Sequence, residues 1–155
     1  MPTMRMKASI LCVLLAASCA AGGGHEHGGA GAADARVAVH FPEPLRAHTL
    51  ANMRDHLATL QAIQEALAQG RYDRAAELSE TRLGLTSLEA HGAHEVAKYM
   101  PVAMQEMGTG MHKAASRFGI AAANAGATGD VKGALEALSA VTAQCVACHA
   151  AYRLE

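Results

Sequence analysis

The sequence predicts an all-α protein, an antiparallel four-helix bundle, and three observations lead there. Of its 155 residues 51% are hydrophobic, yet only 3% are aromatic and none is Trp. Strands draw on aromatic and β-branched side chains, whereas Ala, Leu and Met favour helix. Apolar residues recur at three- and four-residue steps in long stretches. Pro and Gly punctuate those stretches where helices would start and stop. The length suits one ordinary domain. A formal net charge of −1 and a pI near 6.7 leave no basic field, so no nucleic-acid partner is expected.

The first twenty residues read as an export signal. Arg5 and Lys7 precede the apolar run from Ile10 to Ala17, and small residues follow. The run is shorter than the roughly 20 residues that span a bilayer. Its exit, Leu15-Ala16-Ala17-Ser18-Cys19, resembles a bacterial lipoprotein box with Cys19 as the lipidated residue. Cleavage after Ala20 or Ala21 is the competing reading. Either route gives a periplasmic protein, soluble or tethered by an N-terminal lipid. Without Arg5 and Lys7 the 13 basic residues become 11 against 14 acids, a formal charge of −3.

We divide the chain into a signal peptide (1–19), a Gly-rich linker (20–43) and a helical domain (44–155). Gly22 to Asp34 is small and polar without periodicity, as a flexible tether is. His25 and His27 in it are two imidazoles on a loose chain, a poor basis for a metal site. The stretch from Val37 to Pro44, with Phe41-Pro42 and Glu43-Pro44, reads as extended.

Leu50, Met53, Leu57, Leu60 and Leu67 place the apolar stripe of a first helix, which Gly70 ends. A second helix is expected from Tyr72 to Leu85. Pro101 suits the first turn of a third, whose seam runs Met104, Met107, Met111, Ala114, Phe118, Ala121 and Ala125. Residues 125–129, Ala-Gly-Ala-Thr-Gly, break it. From Asp130 a fourth helix puts Val131, Leu135, Leu138, Thr142, Cys145, His149 and Tyr152 on one face. Short breaks between the first and second, and the third and fourth, imply antiparallel neighbours with one longer connection near 86–100.

The chemistry lies in Cys145-Val146-Ala147-Cys148-His149, the spacing that attaches a c-type haem. On a helix the two thiols stand one turn apart on the same side, and His149 follows Cys145 by four. Two thiols can meet the haem vinyl groups while the imidazole approaches iron. A local disulfide or redox dithiol shares Cys-x-x-Cys. That motif normally opens a helix after a strand, whereas this one closes the last helix and carries His directly after it.

The last helix, with Cys145 to His149 followed by Ala-Ala-Tyr152-Arg153, resembles the class II c-type cytochromes, the cytochrome c′ and cytochrome c-556 family. The resemblance spans about Leu45 to Arg153 and follows the family pattern least from Thr86 to Tyr99. It implies one covalent haem c held by Cys145 and Cys148, His149 as proximal iron ligand, and Arg153 near a haem propionate. Some members bind iron through a first-helix Met and carry electrons, and Met53 lies within about a residue of that place. Others leave the iron five-coordinate and bind small gases such as NO or CO. The family often pairs through its first two helices, which implies a homodimer, and electron carriers meet redox partner proteins.

The expected function is therefore one-electron transfer, with gas binding as the alternative and no catalytic residues assigned. A third reading is a His/Met metal module. His91 and His94 stand at i and i+3 and could combine with His56 or a Met, while His112 lies on the third helix. Met100, Met104, Met107 and Met111 invite the same idea, but three of them follow the core seam.

Overall fold

The computed structural model describes residues 33–155, of which Asp34–Glu155 form one compact unit. The leader, Cys19, His25 and His27 lie outside the described residues. The fold is predominantly helical: α1 (Glu43–Ala68), α2 (Tyr72–Arg82), α3 (Ala93–Ala97), α4 (Val102–Thr128) and α5 (Val131–Ala151), with a 3-10 turn at Leu85–Ser87. Two three-residue strands, β1 (Val37–Val39) and β2 (Tyr152–Leu154), pair in parallel with Val37 opposite Tyr152.

The helix ends follow local chemistry. Pro42 and Pro44 fix the start of α1, where the absent amide hydrogen costs nothing. Gly70 takes a left-handed conformation (φ 67°), and the Arg71 amide donates back to the Ala66 carbonyl at 2.8 Å. Gly129 ends α4 in the same way at φ 78°. One residue later the Asp130 carboxylate accepts the Gly133 amide at 3.0 Å and starts α5.

A single apolar core joins α1, α2, α4 and α5 around Ile63, Leu83, Phe118 and Val141, all 1% exposed or less. Small residues let α2 and α4 approach closely. A Cβ on Gly119 would stand 3.3 Å from the Ala76 carbonyl, and Ser79 Oγ donates to the Ala115 carbonyl at 2.9 Å within the contact. A second cluster of Val39, Phe41, Val96 and Met104 packs with Cys148 and Tyr152 at the strand end.

Several expectations shift in detail. Leu57, expected on the core stripe of α1, is 70% exposed, and the buried face carries Thr49, His56, Thr59, Ile63 and Ala66 together with the expected Leu67. α2 stops at Arg82 rather than Leu85. The break expected across 125–129 narrows to Gly129, because Gly126 presents no positive φ and α4 runs on to Thr128. Along α5 the buried positions are Ala134, Leu138 and Val141, so Leu135 and Thr142 turn outward. Tyr152 leaves the helix: its extended backbone begins β2, which finds its partner in Val37–Val39, residues placed with the linker by composition. By length and composition α5 is apolar enough to cross a membrane, yet its Ala134–Leu138–Val141 face is buried in the core.

Candidate functional site

A cavity of about 430 Å³ opens between α1, the 83–101 connection, α4 and the C-terminal end of α5. Its walls are mostly apolar. Leu50 and Met53 come from α1, Val96 and Met100 from the connection, and Met104 and Met111 from α4. Cys148 and His149 contribute from α5, and Arg36 and Arg153 from the strand region. Cys145 lies just behind this wall, packed against the main core, whereas Cys148 belongs to the second cluster.

The Cys-x-x-Cys-His run occupies the last two turns of α5. Both cysteines are free and partly buried, and the Cys145 thiol donates to the Val141 carbonyl at 3.5 Å. Burial pushes both thiols above their ordinary value, so they are protonated at neutral pH rather than poised as thiolates. His149 is exposed as a residue and still reaches the cavity wall.

α1 faces the cavity with Thr49, Met53 and His56, spaced i, i+4 and i+7 and therefore on one side of the helix. His56 is 8% exposed and Thr49 6%, and both His56 Nε2 and Thr49 Oγ1 are buried without a hydrogen-bond partner. Most buried polar atoms are paired, so two orphans on one wall are unusual. Met53 is half-buried.

Beside His56 stand two further imidazoles. The His91 ring centre is 4.7 Å away and the His112 ring centre 6.2 Å, in an edge-on arrangement, with 5.4 Å between the last two. His112 is fixed by its Nδ1–H, which donates to the Leu83 carbonyl at 2.7 Å. His91 is placed by its backbone: its carbonyl accepts Asn52 Nδ2 at 3.1 Å and lies 3.1 Å from His48 Nε2. These bonds tie the 83–101 connection to α1 and α4. Burial, then the neighbouring His91 and His112, lowers the His56 pKa to about 4. Burial likewise lowers that of His91. His56 is thus neutral at pH 7.

At the strand end Arg36 grips Asp34, donating Nε to Oδ1 at 2.9 Å and Nη2 to Oδ2 at 2.7 Å. That guanidinium holds the Asp34 carboxyl near 2. Arg153 Nε lies 3.6 Å from the same carboxylate, too long for a hydrogen bond, and Arg153 also pairs with Glu155.

Of the residues singled out from sequence, Met53, Cys148, His149 and Arg153 share this cavity, with Cys145 beside it. His56, His91 and His112 come together, but His94 is exposed on α3 and does not join them. Among the described residues no three His, Cys, Asp or Glu side chains form a group that could hold a metal ion. Sequence reasoning missed Arg36 and Thr49. Nothing local marks either, since Arg36 stands at the cavity beside the β1–β2 pairing, which joins residues far apart in sequence, and Thr49 has no motif. No protein-family model, curated protein or solved structure matches the chain.

Proposed function

We propose that this protein is an exported haem protein, built as an antiparallel four-helix bundle of the class II c-type cytochrome kind, that carries one electron between redox partners. The observation that carries the reading is the haem-attachment run closing α5 against the large apolar cavity, with Cys148 and His149 in its wall. The residues present suit the group in three ways. The wall is apolar enough for a porphyrin face, one thiol and an imidazole line it with the second thiol one helical turn away, and orphaned polar atoms face it from α1.

Bound haem would supply a one-electron iron couple. The chain's own residues do the rest. Cys145 and Cys148 would hold the group covalently, each thiol adding across a vinyl group with its sulfur on one carbon and its proton on the other. His149 would offer its imidazole to the iron from the last turn of α5. Leu50, Met100 and Met104 would keep water from the bound group, which favours the less charged oxidation state. Arg36 and Arg153 place positive charge on the wall, partly offset by Asp34, and would compensate acid groups on a porphyrin.

Intact-mass and peptide analysis of the exported protein, made in a host with cytochrome c maturation, tests this. One haem on the peptide containing Cys145 and Cys148 is expected, and it is lost in Cys145→Ser/Cys148→Ser. A stable, exported chain without haem overturns the reading. Five-coordinate iron binding small gases is the second reading, favoured by the size of the cavity; a ferrous holoprotein inert to carbon monoxide removes it.

A further inference from the structure

We infer that His56, rather than Met53, is the side chain this protein brings to the sixth coordination position of the haem iron; the inference rests on the haem assignment proposed above.

Both side chains lie on the same face of α1 and both line the cavity. They differ in what the protein leaves undone for them. His56 Nε2 is buried with no hydrogen-bond partner, and the residue is 8% exposed. A buried nitrogen in that state loses its hydration and gains nothing in return. Met53 is half-buried, and its thioether, a weak acceptor, carries no comparable debt to desolvation. Coordination to iron satisfies the imidazole nitrogen, and no protein group does so. The neighbouring rings do not, since neither His91 nor His112 hydrogen-bonds His56 Nε2. Packed at 4.7 and 6.2 Å, those rings instead restrict the rotation of His56.

The test is the absorption spectrum and near-infrared magnetic circular dichroism of the purified holoprotein. Wild type is expected to be low-spin in both oxidation states and to lack the sulfur-to-iron charge-transfer band. Met53→Ala leaves those spectra unchanged. His56→Ala turns the ferric iron high-spin and lets the ferrous iron bind carbon monoxide, and added imidazole restores the low-spin bands. His56→Met gives a low-spin iron with the sulfur band and a higher reduction potential, since thioether ligation raises it. If His56→Ala does not accumulate, His56→Met decides: a sulfur band absent from wild type appears in it when residue 56 holds the iron, and its failure to appear overturns the inference. A sulfur band in wild type hands the position to Met53 and overturns the inference, as does a high-spin wild type. A low-spin spectrum that survives His56→Ala also overturns it. Failure of the haem assignment looks different: the intact mass then carries no haem, whereas a haem-loaded chain with another sixth ligand removes the inference alone.

Discussion

Gly84 has no room for a side chain although its backbone is ordinary, with φ −74°. A Cβ there would lie 2.8 Å from Glu80 Cα, which cannot swing aside as a side-chain tip can. The Gly84 carbonyl accepts the Ser87 hydroxyl at 2.7 Å and stands 3.2 Å from His112 Nδ1. Gly84→Ala must therefore push the connection away from α2 and loosen the histidine it positions. We predict a loss of about 1–3 kcal/mol, the usual cost of overpacking, seen as a lower denaturant midpoint with an unchanged slope. At this scale the sequence is uneven as a guide. Cys145, Cys148 and His149 are legible because they stand within five residues in one recognisable spacing. The gathering of His56, His91 and His112 is not, because it depends on where the 83–101 connection folds back. Two residues of that connection, Gly84 and His91, are held by backbone carbonyls that no spacing rule reports.

Helix α1 shows why elements are easier to find in this chain than to orient. Pro44 and Gly70 mark its ends, so its span is readable. Its apolar stripe is not, since Leu50, Met53 and Leu57 lie on one side while Ile63, Ala66 and Leu67 continue the buried face. The first two turn toward the cavity rather than the core, and Thr49 and His56 share that side. An Ala-rich sequence offers little contrast between faces, and on α5 the same ambiguity moves the buried set to Ala134, Leu138 and Val141. Two substitutions separate the expected stripe from the observed one. Ile63→Ala, at 0% exposure, is predicted to cost about 2–5 kcal/mol by leaving a cavity in the core. Leu57→Ala, at 70% exposure, is predicted to change stability by less than about 0.5 kcal/mol. Equal losses at both positions, measured by chemical denaturation, would contradict this orientation of α1.

Among the described residues the β1–β2 pair closes one side of the cavity, and the imidazoles of His56, His91 and His112 line another. The β1–β2 pairing was not legible because three-residue parallel strands carry no pattern of their own; each needs a partner far along the chain. The imidazoles give the fold an acid sensitivity with a definite sign. His56 falls from its ordinary value of 6.5 to about 4, because burial and then the His91 and His112 rings oppose its charge, with Asp55 pulling weakly the other way. Between those two values the unfolded chain binds a proton that the folded chain refuses, so each step down in pH favours unfolding. Above 6.5 neither state binds it, and below about 4 both do, which confines the effect to that window. Its full size is on the order of 3 kcal/mol, and His91 adds to it in the same direction. Asp34 belongs to a separate window: its carboxyl, lowered from 3.8 to about 2 by Arg36, weakens the strand end only as pH falls further. The denaturant midpoint of the haem-free chain is therefore predicted to fall steadily from pH 6.5 to 4, and a midpoint that stays level over that range would contradict a neutral, buried His56.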